Sequence, residues 1–268
     1  MNYFDIKNLL DSNIYRAYNF AADFKFHLNI RTKKVLGRNE IFKDIHHGES
    51  CFIIGTGPSI NSLTPNEINS LKNKTTIFVN SAYKADILNS IIPTYYSLFD
   101  NNYWGLSSCA FKDIADKYEL KPPIFLTDFR AKALASSANG KLNLYAYAKN
   151  YPINSLRCDP CSNMSITMNV LSTSILLCMY MGFRQIYLLG CDFNSFCSPG
   201  VMHCYDDDEE TATLKQYKLS YYLWQYSVTA EFHYLISILA KEMGVSVINI
   251  TSGSLLDAYP IMDRKFFL

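Results

Sequence analysis

The sequence predicts an α/β fold, a mostly parallel sheet flanked by helices with a small lid. Three observations predict it. Short apolar runs that do not alternate with polar residues recur along the chain, as strands buried on both faces must. Helical stretches separate these runs, the pattern of β/α units. The first run, Cys51 to Ile54, breaks at Gly55-Thr56-Gly57-Pro58-Ser59, which reads as a strand, a tight turn and a helix start. Two glycines allow positive φ and close backbone approach, and Pro58 suits a first helical turn because it has no N–H to leave unpaired. Such a junction predicts a nest of backbone N–H groups that would attract phosphate.

The bulk numbers bound the classes. A chain of 268 residues with 49% hydrophobic and 18% charged residues can build one sizeable core. A net charge of +1 gives no global reason to expect nucleic acid as a partner. No run of 18 apolar residues predicts a membrane span, and the Met1-Asn2-Tyr3-Phe4-Asp5 start lacks the basic and apolar regions of a signal peptide. The expected location is the cytoplasm, with a peripheral seat on the inner face of its membrane as an option. The eight cysteines are then expected to be reduced. Cys158-Asp-Pro-Cys161 has the spacing of half a zinc site, which Cys191, Cys197, His203 and Cys204 could complete, but a single pair arises readily by chance.

Residues 1–48 read as an N-terminal helical and basic extension, and residues 49–268 as the catalytic domain. A helix over Asn13 to Ile30 would carry Tyr15, Tyr18, Phe20, Phe24 and Phe26, followed by a basic patch of Arg31, Lys33, Lys34 and Arg38. Residues 13–43 could rest on anionic lipid, or the helix could pack on the domain beside a solvated basic loop. After the glycine turn come a helix over Pro65 to Leu71 and strands over Thr75 to Asn80, Pro93 to Phe99, Pro123 to Thr127 and Leu142 to Ala146. Ligands gather at the carboxyl ends of such strands, where Asn80, Asp100 and Asn101 fall. Asn163 to Met181 reads as one buried helix, capped by Ser162 or Ser165 and closed by Gly182. Gln185 to Leu189 is a further strand, ending in Gly190-Cys191-Asp192-Phe193-Asn194; Asp192 reads equally as a site residue or a loop cap. Ser195 to Glu210 has loop character and ends in five acids, Asp206 to Glu210, expected as a solvated surface or helix N-terminus with metal binding as the alternative, within a lid spanning about residues 194–212. His203 in that lid is a candidate base. A long helix from Thr211 to Met243, a stop at Gly244, a last strand over Val245 to Ile250 and the turn around Gly253, Ser254 and Leu255 complete the chain.

The blocks Ile53-Ile-Gly-Thr-Gly-Pro-Ser-Ile60, the strand ending at Asn80, Met181-Gly-Phe-Arg-Gln-Ile-Tyr-Leu-Leu-Gly-Cys-Asp-Phe193 and Ile250-Thr-Ser-Gly-Ser-Leu-Leu256 together resemble bacterial lipooligosaccharide sialyltransferases. The same skeleton is similar to the motility-associated glycosyltransferases and the archaeal hydroxymethylpterin diphosphokinase group. The resemblance implies a GT-A-like single Rossmann domain with a lid, a CMP-sialic acid donor and no required metal. It would put Gly55, Thr56, Gly57, Pro58 and Ser59 against the nucleotide and phosphate, and Asn80 with Asp100 or Asn101 on the donor. Gly253, Ser254 and Leu255 would hold the cytidine or ribose, and His203 would deprotonate the acceptor hydroxyl. Gly190 and Asp192 share that sheet edge. Thr56 stands where that family usually has Asn; Asn194 occupies the first of its two lid tyrosine positions, and Tyr205 is the candidate for the second.

Transfer from a sugar nucleotide requires a stabilised leaving phosphate, a base near neutral pKa and exclusion of water. The glycine turn, Asn80 and Tyr205 are assigned the first task, His203 the second and the lid the third. The expected partners are a nucleotide-sugar donor, CMP-sugar favoured, and an oligosaccharide or glycolipid acceptor of surface polysaccharide. No cofactor is expected. The variant reading is a UDP- or GDP-sugar enzyme with Mg2+ or Mn2+ on Asp100. Two further readings are a pterin-type diphosphokinase using ATP and Mg2+, and a non-catalytic nucleotide-sugar binding subunit.

Overall fold

The computed structural model describes residues 3–105, 108–153, 155–197, 203–206, 212 and 216–268, with side chains from residue 9 onward. Eight parallel strands form one sheet: β1 Ser50–Ile54, β2 Thr76–Val79, β3 Tyr95–Leu98, β4 Ile124–Asp128, β5 Leu144–Asn150, β6 Asn163–Ser165, β7 Gln185–Leu189 and β8 Ser246–Asn249. Their order is β6-β5-β4-β3-β2-β1-β7-β8. The described helices are α1 Tyr3–Leu28, α2 Ile30–Leu36, α3 Pro65–Leu71, α4 Ala110–Lys117, α5 Lys132–Asn139, α6 Val170–Tyr180 and α7 Leu219–Glu242. Among the described residues, no helix is long and apolar enough to cross a membrane.

β1 shows why the apolar runs do not alternate. Cys51 and Ile53 point into one core with α6 and α7, while Phe52 and Ile54 point into a second core on the opposite face. All four are buried, because both faces of a parallel sheet are covered by helices. The chain winds from β1 outward to β6 and then returns to lay β7 on the other side of β1. That reversal opens a crevice at the carboxyl ends of the central strands, the place where doubly wound folds bind ligands.

Most elements lie where the sequence puts them. The bounds Pro65–Leu71 and Gln185–Leu189 are those expected, and α3 carries a capping box in which Thr64 and Glu67 satisfy each other's backbone N–H groups. Gly182 and Gly244 close their helices at φ +92° and +67°.

The stretch expected as one helix from Asn163 to Met181 is different. Asn163–Ser165 pairs with β5 as β6, a short loop follows, and α6 begins only at Val170. The reason is visible in the residues. Met164, Ile166 and Met168 alternate with Ser165, Thr167 and Asn169, a period of two that belongs to extended chain. The cap is Asn169, whose Oδ1 accepts from the Ser172 N–H at 2.8 Å, and not Ser162 or Ser165. The first helix is also longer than expected, running from Tyr3 and followed at once by α2, which Asn29 caps.

Residues 37–48 are tied firmly to the sheet. Asn39 is buried and donates to the carbonyls of Tyr145 and Pro160 (2.7 and 2.8 Å) while accepting from the Tyr145 N–H. The N–H groups of Asp44, His46 and Gly48 donate to Tyr180, Met181 and Gly182.

Candidate functional site

A cleft of about 370 Å³ opens at the carboxyl edge of the sheet. Asn80 and Asp100 reach it from the ends of β2 and β3, and His203 from the segment expected as a lid. Thr167, Asn169 and Thr173 line it from the start of α6, and Tyr222, Gln225, Tyr226 and Thr229 from α7.

His203 is brought to the glycine turn by Thr56. The Cys204 N–H donates to the Thr56 carbonyl at 2.8 Å, and the Thr56 hydroxyl lies 3.3 Å from His203 Nδ1. The threonine between the two glycines thus anchors this segment by backbone and side chain at once. The Tyr205 ring lies parallel to the imidazole, 5.0 Å between centres, and the Lys84 ammonium sits 6.0 Å above the tyrosine. Cys204 between them is buried, which pushes its thiol up to about 12.

Asn80 carries two marks of a ligand site. Its φ of +48° is in the left-handed region, which asparagine tolerates better than most residues. The Tyr96 hydroxyl fixes that geometry by donating to the Asn80 carbonyl at 2.9 Å. The side-chain Oδ1 is buried and has no hydrogen-bond partner among the described residues. A buried acceptor without a donor is costly, so an exception calls for a cause, and a ligand N–H or O–H would supply one.

Phe193 is a second outlier, at φ +55° for a bulky aromatic residue. Its ring packs on Tyr226 and edge-on to His233. His233 is fully buried, with Nδ1 2.9 Å from the Tyr259 hydroxyl and Nε2 3.2 Å from the Ser172 hydroxyl. Burial pushes its pKa down to about 3, so it is neutral at physiological pH and ties α7 to the start of α6.

The glycine turn itself corrects an expectation. Neither Gly55 nor Gly57 has positive φ. Their N–H groups donate to the Leu189 and Gly190 carbonyls (2.7 and 2.9 Å), and the Ser59 N–H donates to Asp192 Oδ1 at 3.1 Å. These amides are committed to protein acceptors and do not form an open phosphate nest. What the glycines supply is closeness. A Cβ on Gly55 would sit 2.3 Å from the Gly190 oxygen, and one on Gly57 would sit 1.9 Å from Asp192 Oδ2. Pro58 begins a short 3-10 turn, Pro58–Ser62, rather than the α-helix, which waits until Pro65.

Asp192 is buried and accepts from both the Ser59 N–H and its hydroxyl, the latter at 2.6 Å. It is the loop-capping reading of this residue that its contacts match. Gly190 turns at φ +72° against Ile60. Ser254 spends its hydroxyl internally, donating to the Cys191 carbonyl at 2.6 Å and accepting from Asn249 and Leu256. Gly253, at φ +71°, and exposed Leu255, whose N–H donates to the Asp192 carbonyl, complete that brace. Of the residues expected at the site, Asn80, Asp100 and His203 line the cleft; the turn at residues 55–59, Asn101, Gly190, Asp192, Asn194, Tyr205, Gly253, Ser254 and Leu255 do not. The Asp100 Oδ1 also accepts from the Asn102 N–H at 2.9 Å. Residues 198–202 and 207–211, and with them most of the expected lid and its acidic run, lie outside the described residues. Among the described residues no three His, Cys, Asp or Glu side chains gather as a metal ion would need.

The α6 and α7 walls were missed by sequence reasoning. The alternation at residues 164–169 was the available signal for the first. No comparable signal marks which face of α7 meets the cleft.

Fold and cleft together define a doubly wound α/β protein with a candidate ligand cleft at the carboxyl edge of its sheet, beside the ends of β2 and β3. The model of the 6-hydroxymethylpterin diphosphokinase MptE-like family matches residues 19–196, and the chain belongs to that family. The membership makes it a transferase-type enzyme, glycosyltransferase-like or pterin diphosphokinase-like. No curated protein matches the chain.

Proposed function

We propose that the protein is a glycosyltransferase that moves a sugar, a sialic acid or related nonulosonic acid in the first instance, from a CMP donor to a glycan hydroxyl. The observation that carries this reading is the convergence of His203, Asn80 and Asp100 on one cleft. In a histidine held through Nδ1 the other ring nitrogen can act as acceptor for the proton of a hydroxyl. Hydroxyl and amide side chains (Thr167, Thr173, Gln225, Thr229) interleaved with the rings of Phe193, Tyr222 and Tyr226 suit a sugar, which presents hydroxyls at its edge and C–H groups on its faces.

Charge favours a CMP donor over a diphosphate one. None of the described residues that line the cleft is Lys or Arg, and Lys84 lies over Tyr205, whose ring is stacked on His203. That supply suits one phosphodiester better than a di- or triphosphate. The test is donor turnover followed by NMR with CMP-, UDP-, GDP- and dTDP-sugars, with and without EDTA. Turnover of CMP-sialic acid that survives EDTA supports the reading. Turnover only of a UDP- or GDP-sugar, lost on chelation, overturns the donor.

The second reading, diphosphate transfer from ATP to a hydroxymethylpterin, is favoured by the family's name. The orphan acceptor of Asn80 would suit a pterin N–H. ATP consumption dependent on a hydroxymethylpterin, with silence across the sugar panel, selects it.

A further inference from the structure

α1 packs on the domain the wrong way round for a surface helix. Its inward face is polar and aromatic. Tyr15 stacks on Tyr151 at 3.6 Å, Asn19 bonds the Tyr151 backbone through both its amide atoms, and Asp23 holds Arg157 and Asn163. Its outward face is apolar. Leu10, Ile14, Phe20, Phe24 and Leu28 recur at helical spacing along about 30 Å of helix, and Ile30 continues the row into α2. Exposure reaches 76% at Phe20, 67% at Leu28 and 77% at Ile30. Single exposed apolar residues are ordinary, whereas a continuous apolar stripe marks a surface that something covers.

The charge around the stripe identifies the occupant. Residues 9–43 hold seven Lys and Arg and three Asp and Glu, in a chain whose net charge is only +1. Of the three acids, Asp23 is engaged by Arg157 and Glu40 by Lys43. Arg16, Lys25, Arg31, Lys33, Lys34 and Arg38 are all exposed. A second copy of the chain laid against this face would bring like charges together. A bilayer with anionic headgroups would take the apolar stripe into its interface and the ammonium and guanidinium groups onto its phosphates. We propose that α1 and the start of α2 are a docking face for an anionic lipid surface, independently of which group the enzyme transfers.

The experiment is flotation of the whole protein with vesicles of phosphatidylcholine alone or mixed with phosphatidylglycerol, at low and high salt. The expected result is flotation with the anionic vesicles that weakens as salt rises. The double variant Phe20→Glu/Phe24→Glu is expected to lower the bound fraction by at least about tenfold, since two aromatic side chains no longer enter the interface. Its melting temperature should match that of the parent, because both rings are exposed. Leu120→Glu, an equally drastic change at a 94% exposed site elsewhere, is expected to float as the parent does. Absence of flotation with either vesicle, or equal flotation of the double variant, overturns the proposal. A dimer that Phe20→Glu/Phe24→Glu dissociates, without vesicle binding by the parent, overturns it in favour of a second copy as occupant.

Discussion

Replacing Gly57 by alanine tests whether the glycine turn exists for closeness or for backbone freedom. The backbone there, φ −65° and ψ 153°, is one that alanine adopts without strain. On conformational grounds alone the change would stabilise the fold by about 0.4–1 kcal/mol, through the unfolded chain. The structure reverses the sign. The new methyl would lie 1.9 Å from Asp192 Oδ2, so the carboxylate must move and give up its bonds to the Ser59 hydroxyl and N–H. Hydrogen bonds to a charged group contribute roughly 1.5–3 kcal/mol each. Less the conformational gain, the net loss is about 2–5 kcal/mol, or a fall in Tm of roughly 5–15 °C for a chain of this size. Thermal and urea unfolding give the measurement. Gly37→Ala is the matched control, because a Cβ there meets nothing and its φ of −59° is helical. It should raise stability slightly. If the Asp192 contact is the mechanism, Ser59→Ala and Gly57→Ala will cost less together than the sum of the two. A Gly57→Ala protein that melts at or above the parent temperature refutes the reasoning.

Other outcomes follow from the same contacts. His203→Ala should lower donor turnover by about 10²–10⁴-fold while leaving the melting temperature nearly unchanged; a variant with full turnover removes His203 from the chemistry. His233 has its pKa depressed from the ordinary 6.5 to about 3, so the unfolded chain takes up a proton that the folded chain refuses. The resulting stability is complete above pH 6.5 and declines as pH falls toward 3, by roughly 1.4 kcal/mol per pH unit. Urea midpoints between pH 7 and 5 should flatten in His233→Gln. Asn39→Ala leaves two carbonyls and an N–H of Tyr145 and Pro160 without their buried partner, and should cost at least about 3 kcal/mol in equilibrium unfolding.

The strands were the most legible part of the chain because burial on both faces writes an unbroken apolar run, and β7 was bounded to the residue. The β6 segment was not, because three apolar residues at alternate positions directly before a helix can be taken for its first turns. At the site, chain order sufficed to bring Asn80, Asp100 and His203 together, since a parallel sheet delivers every strand's carboxyl end to one edge. The partner of the glycine turn was not legible. Whether a backbone N–H stays open for phosphate depends on where a side chain about 130 residues later comes to rest, and Asp192 comes to rest on Ser59. For the same reason Thr56 read as a departure from a family pattern, whereas in the structure it is the residue that fastens His203.

The order of the strands also sets when each edge of β1 can be satisfied as the chain is made. β1 is central, yet one of its edges is satisfied only by β7, whose first residue, Gln185, follows the last of β1 by about 130 positions. Until that segment emerges, Cys51–Ile54 presents an apolar strand with an unpaired row of backbone groups, a template for the wrong neighbour. Pairing across so long a loop is slow because the closure entropy is lost before any contact repays it. A chain truncated short of residue 189 would therefore leave that edge of β1 without its native neighbour, with every residue before β7 already present.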